Sequence, residues 1–210
     1  MDIILSSISQ GLLWSVMAIG VYLTFRILDI ADMTAEGSYP LGAAVCATGI
    51  VNGLNPLLAT FLAMIAGMGA GLISGLLHTK LKIPALLTGI VTLTGLYSIN
   101  LKILGKANVA LLKQETLVTQ LQDFGLAKTN AVLVIGIIFV LAVVGVLTLL
   151  LNTQIGLAIR STGDNIPMSE ANGINVDRMK IYGYMISNGL IALCGALLTQ
   201  NNGYADLNSG

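Results

Sequence analysis

Six uncharged apolar runs divide this chain, and they leave it few folds to choose from. Ile3–Phe25, Pro40–Val51, Pro56–Leu77, Ile83–Leu101, Ala131–Leu151 and Ile181–Thr199 contain no Asp, Glu, Lys or Arg. At about 1.5 Å rise per residue, five of them are long enough to cross a hydrocarbon core of roughly 30 Å as helices. Pro40–Val51 is shorter and reaches only about 18 Å. The acids Asp29, Asp32 and Glu36 precede it. The expectation is an irregular acidic stretch leading into a broken or half-length helix that starts at Pro40. A plain loop with solvated acids is the competing reading. The expected fold is all-α: a polytopic transmembrane helical bundle of about six helices, one of them short or broken. Only 10% of the residues are charged, against about 25% in soluble domains. Net charge is zero, so nothing points to nucleic-acid binding. Cys46 and Cys194 fall inside apolar runs and read as packing residues rather than a disulfide. No Lys or Arg precedes Arg26. The first run therefore lacks the basic start of a cleaved signal peptide and reads as a true span.

Asn152–Lys180 is a polar island between two of these runs. It is longer than the roughly 2–8 residues that usually join bundle helices. Asn165 suits the cap of a short helix with Pro167 in its first turn, and Gly173 suits its left-handed end. Asn175 then suits the cap of the next span, with Asp177 in the first turn. These signals predict a short helix held between two membrane helices. An ordinary ordered loop is the alternative.

The segment GLAIRSTGDNIPMSEANGINVDRMK resembles the cytoplasmic coupling loop of ABC-importer permeases of the branched-chain amino acid and ribose type. The matching positions are Gly156, Ala158, Arg160, Asn165, Gly173, Ile174, Asn175 and Val176, with Ser161 and Ser169 where that pattern has Ala. Glu170, Ala171 and Gly173 are similar to the Glu-Ala-Ala…Gly loop of importers generally. The resemblance implies that residues 1–210 form one transmembrane permease domain and 152–180 its coupling loop. It implies docking of the short helix on a separate ABC ATPase subunit. Gly156, Arg160, Asp164, Asn165, Glu170, Gly173 and Asn175 would lie at that interface. It further implies a second permease subunit, most simply in a homodimer, and an extracellular substrate-binding protein. ATP would be used by the ATPase, with no cofactor on this chain. The region GLLWSVMAIGVYLTFRILDIADMTAEGSYPLGA is similar to the first block of the same family. Relatives of this kind continue for two or more helices past Thr199, so a C-terminally shortened chain is expected.

Two further runs bear on the pathway. Ile83–Leu101 holds Thr88, Thr92, Thr94, Ser98 and Asn100. These side chains either line an aqueous path or tie helices together. The segment IPALLTGIVTLTGLYSI resembles the pore-side helix of the family, which favours lining. Thr88, Thr92, Thr94 and Ser98 join Asp32 and Glu36 as candidate pathway residues. Gly67, Gly71 and Gly75, four residues apart, suit close helix packing in lipid. His78 at a span end reads as an interfacial side chain. Leu117, Leu121 and Phe124 recur at helical spacing, predicting a surface helix within the second island, Lys102–Asn130.

Placing the long island inside puts Arg26, Lys80, Lys82, Arg160, Arg178 and Lys180 inside, and Lys102, Lys106, Lys113 and Lys128 outside. A constant offset relates Ala18 to Ala192, Leu23 to Leu197 and Ala31–Met33 to Ala205–Leu207. That offset predicts an inverted repeat.

The chemistry that is missing narrows the function. No P-loop motif occurs, and one histidine cannot supply a metalloprotease pair. The leading reading is the permease subunit of an ATP-driven importer, with amino acids as substrates. A sugar or nucleoside ABC permease is an alternative. An ion-coupled secondary transporter needs acids inside spans, for which only the Asp29–Glu36 region qualifies. A non-transporting membrane scaffold is the third reading.

Overall fold

The computed structural model describes residues 2–111 and 114–207. Among the described residues, five helices are long and apolar enough to cross a membrane. They are α1 (Asp2–Tyr22, continued by a π-helical turn, Leu23–Ile27), α3 (Pro56–Thr79), α4 (Ala85–Leu104), α6 (Lys128–Leu151) and α9 (Val176–Asn202). The shorter α2 (Ala35–Val51) follows α1, α5 (Leu117–Asp123) precedes α6, and α7 (Gln154–Asp164) and α8 (Ile166–Ala171) precede α9. Two short strands, β1 (Asn108–Ala110) and β2 (Tyr204–Asp206), pair antiparallel with Val109 opposite Ala205. The multi-pass helical bundle expected from the apolar runs is present, with α2 as its short member.

α9 is the axis of this bundle. Every residue from Ser187 to Gln200 is buried, because α1, α2 and α3 all pack on it. The approach is close enough to need glycine. A methyl group at Gly71 would meet the Tyr184 carbonyl, and one at Gly67 would meet Ala192 and the Asn188 carbonyl. Gly75 sits against Ile181. The glycine stripe of α3 thus lies along α9, antiparallel to it. On the α2 side, Gly42 faces the Ala192 carbonyl and Gly195 the Tyr39 carbonyl.

α1 also runs antiparallel to α9. Ser187 Oγ donates to the Gly20 carbonyl at 2.7 Å and Cys194 Sγ to the Leu13 carbonyl at 3.2 Å. That orientation agrees with the inverted offset between the two helices. Their sequels differ: Ala31–Met33 turns back into the bundle, whereas Tyr204–Asp206 pairs as β2. Both cysteines are free and buried.

One expectation is corrected here. α2 does not begin at Pro40; it begins at Ala35 and carries Pro40 within it. Asp32 Oδ1 accepts from Thr34 N at 2.9 Å, which fixes the chain just before the helix and lets it start a turn earlier. The helix is then about 26 Å long. The predicted helix after Asn165 is α8, but a second one, α7, lies before it with Thr153 as its cap. The predicted surface helix is α5, closed by a capping box of Thr116 and Thr119.

The six basic residues Arg26, Lys80, Lys82, Arg160, Arg178 and Lys180 fall at the α7–α8 end of the bundle. Lys102, Lys106 and Lys128 fall at the β1–β2 end, and Lys113 lies outside the described residues. A reporter active only outside the cell should therefore work when fused before α1 and fail when inserted between α7 and α8. The reverse pattern would invert the orientation. The packing makes a second prediction. Gly71→Val should lower stability in detergent by about 1–3 kcal/mol, read as a lowered midpoint of thermal unfolding. Gly69→Ala, with nothing near its Cβ position, should leave the midpoint unchanged.

Candidate functional site

The chain break between α1 and α2 carries the polar chemistry of the bundle. The π-helical turn ends α1, and Asp29 adopts φ +53 in the turn that follows, a conformation Asp tolerates better than most residues. The chain then re-enters the bundle, and Asp32 is only 2% exposed. Its Oδ2 accepts from Asn188 Nδ2 at 2.7 Å. Asn188 Oδ1 accepts from Ser38 Oγ at 2.6 Å, and its amide also donates to the Tyr184 carbonyl at 3.0 Å. A buried carboxylate is thus held by an amide, a backbone N–H and no cation among the described residues.

A run of hydroxyls continues from the same turn. Thr92 Oγ1 donates to the Thr88 carbonyl at 2.9 Å, so it accepts the proton of Ser74 Oγ, 3.0 Å away. Ser74 has then spent its proton, and Thr34 Oγ1 must donate to it across 2.8 Å. The direction of the relay from Thr34 to Ser74 to Thr92 follows from this count. It joins the broken segment to α3 and α4. A second node sits toward the β1–β2 end. Gln200 Nε2 donates to Thr60 Oγ1 at 2.7 Å and to Cys46 Sγ at 3.3 Å, while its oxygen accepts from Leu117 N at 3.0 Å.

Between α2 and α4 lies an open-sided cavity of about 340 Å³, lined by Glu36, Gly37, Pro40, Leu93, Thr94, Tyr97, Asn100 and Leu207. Asn100 is 1% exposed. Its amide donates to the Gly37 carbonyl at 3.3 Å, and its Oδ1 has no partner.

At the opposite end, α7 and α8 form a capped pair. Asn165 accepts from Met168 N at 3.0 Å, Gly173 takes φ +78, and Asn175 accepts from Arg178 N at 3.1 Å. α7 is wedged under the bundle: Gly156 lies against Leu150 and Leu151, and Gly163 against the Ile27 carbonyl. Ile166 and Met168 of α8 stay exposed, as do Arg160, Asp164 and Glu170.

A family model described as the permease component of branched-chain amino acid transport systems matches residues 3–210. The chain belongs to that permease family. It is a multi-pass plasma-membrane component of an ABC transport system, a class that works with an ATPase and a substrate-binding protein. It is 44% identical over 207 residues to a tyrosine transport system permease protein of Clostridioides difficile, covering 99% of this chain and 68% of the relative. It is 35% identical to the uncharacterized protein RP368 of Rickettsia prowazekii, covering all of this chain and 72% of the relative. It is 28% identical to the autoinducer 2 import system permease LsrC of Yersinia enterocolitica, covering 99% of this chain and 55% of the relative. No solved structure gives a significant match.

Within this permease the candidate residues separate into groups. Asp32 lies in the buried network, whereas Glu36 and Thr94 line the cavity. Thr88 and Thr92 are buried between helices, and Ser98 is exposed. The interface candidates fall together at the α7–α8 end. Gly156 and Asn175 perform structural tasks there as a close contact and a cap. Sequence reasoning missed Asn188, Ser74 and Gln200. Ser74 and Asn188 lie within apolar runs and Gln200 just past the end of one, and their partners are distant in sequence. His78 is partly buried, its Nδ1 bonded to the Ile83 carbonyl at 2.8 Å.

Removing Asn188 would leave a carboxylate oxygen and the Ser38 hydroxyl unpaired. Asn188→Leu should cost about 1–3 kcal/mol, seen as a lowered denaturation midpoint in detergent. An unchanged midpoint would show that the network contributes little.

Proposed function

We propose that this permease is the membrane-spanning subunit of an ATP-driven importer of amino acids, and that α8 is the element through which a separate ATPase subunit drives it. The observation that carries the coupling is the α7–α8 pair: a short capped helix with Ile166 and Met168 exposed. Charged Arg160 and Asp164 on α7 and Glu170 on α8 are exposed at the same end of the bundle. Apolar anchors with a polar rim suit a docking surface on a soluble partner.

The geometry supplies a route for force. α8 continues into α9 through the Gly173 turn, and α7 is backed by the end of α6 and by Ile27. A push on α8 would therefore reach α9 directly. Through α7 it would also reach the turn that positions Asp32. Tilting of α6 and α9 about the broken segment would then open the path to one side at a time. Two such permeases would associate through apolar faces left uncovered in the single chain, with a binding protein delivering solute at the β1–β2 end. ATP would be consumed by the ATPase alone.

Amino acids are favoured as cargo by the 44% identity to the tyrosine permease. A sugar or nucleoside cargo is the second reading. It draws on the 28% likeness to the autoinducer 2 permease and ranks lower for that reason. An ion-coupled carrier is less well supported, because Asp32, the acid buried inside the bundle, is tied to Asn188 and Thr34.

Met168→Glu should reduce copurification of the cognate ATPase by about tenfold, with membrane insertion unchanged. Gly173→Ala should weaken it less, through strain at φ +78. Undiminished capture by both variants would exclude α8 as the docking element. Stimulation of ATP hydrolysis by an amino-acid panel, set against sugars and nucleosides, would decide the cargo.

A further inference from the structure

We propose that the cavity between α2 and α4 binds a protonated primary amine, the ammonium group of a small solute. The lining of this cavity is rich in acceptors and poor in donors. Glu36 presents a carboxylate, which only accepts. Pro40 has no N–H, so the Glu36 carbonyl lacks the donor that would normally cap it one turn later. Thr94 Oγ1 gives its proton to the Val91 carbonyl at 2.8 Å and the Ile90 carbonyl at 3.2 Å, leaving only lone pairs for a visitor. Asn100 gives one of its two amide N–H groups to the Gly37 carbonyl, and its buried Oδ1 is without a partner.

Against these four acceptors the lining has two uncommitted side-chain donors, the Tyr97 hydroxyl and the second N–H of Asn100, and no Lys or Arg among its described residues. Buried amide oxygens are rarely left unpaired, and such an orphan is a place where a missing ligand supplies the donor. A carboxylate or phosphate would meet Glu36 with too few donors to hold it. A sugar would find acceptors for its hydroxyl protons but only two side-chain donors for its oxygens. An ammonium brings three N–H donors and a positive charge, which is what the site lacks. Pro40, Leu93 and the Tyr97 ring give an apolar surface for the rest of the molecule, and an aromatic face attracts a cation. The volume lies at the small end of ligand pockets, which begin near roughly 300 Å³. If the solute is the transported amino acid, a step that rests on the cargo proposed above, its amino group docks here.

The test uses the whole transporter with its ATPase in lipid nanodiscs. Binding of tyrosine and tyramine is compared with that of 4-hydroxyphenylpropionate, which is tyrosine without its amino group. Tyrosine and tyramine should bind and the deaminated acid should not. Glu36→Gln, at an exposed position, should weaken tyramine binding about tenfold or more, and Thr94→Val by less. The site is overturned if wild-type transporter fails to bind tyramine, or if the deaminated acid binds as well as tyrosine. It is also overturned if Glu36→Gln changes nothing, or if sodium chloride displaces tyramine where choline chloride does not, since the site would then belong to an inorganic cation. Amino-acid transport by Glu36→Gln with unchanged KM would remove the site and leave the transport reading intact. Tyramine binding by a complex that transports no amino acid would do the reverse.

Discussion

Backbone-to-backbone contact between α9 and its neighbours is the constraint on which the rest of the bundle depends. Lipid tails are as apolar as leucine, so burying apolar side chains gives helices little reason to associate; close packing and interhelical hydrogen bonds do that work. Glycines at 67, 71 and 75 on α3, and at 42 and 195 between α2 and α9, remove the side chains that would hold the axes apart. Only with the axes this near can Ser38 reach Asn188, and Gln200 reach Thr60, at 2.6 and 2.7 Å. The glycines come first and the polar network follows from them.

Asp32 shows how that network tolerates an acid inside a membrane bundle. A charged side chain at such depth is costly and normally sits where function requires it. Here the compensation comes from an amide on α9 and a backbone N–H two residues along the chain. Both belong to elements tied mechanically to the α7–α8 pair, one by continuity of α9 and the other through the Ile27 contact. The buried acid therefore sits between the two parts of the molecule that an alternating-access cycle has to coordinate.

Much of this architecture was legible in the residues, and the failures have physical causes. Uncharged runs located the membrane helices because length and charge alone decide whether a helix suits lipid. The caps at Asn165 and Asn175 and the left-handed Gly173 were readable because they are local signals. Pro40 misled as a helix start because a proline is also tolerated inside the first turns; the helix begins at Ala35, just after the local Asp32–Thr34 turn. α7 carried no expectation of its own; its inward face is set by Ile159 and Thr162 against α6, α9 and the end of α1. Thr88, Thr92 and Thr94 looked alike in sequence. Helical geometry turned two of them inward and left the third on the cavity. Asn100 stands out only through its unpaired Oδ1, since no local pattern distinguishes an orphaned oxygen from a satisfied one.

The hydroxyl relay from Thr34 through Ser74 to Thr92 has a consequence for how this sequence can drift. Its members are unequal: Thr34 stands at the head and makes one link, whereas Ser74 is an interior link that both receives and gives. Losing the head deprives one neighbour. Losing the middle strands a proton on one side and a lone pair on the other, with three helices' worth of packing closed around both. Mutational tolerance along the seam is therefore graded by position in the chain of proton donation, and the smallest residue in it is the least replaceable.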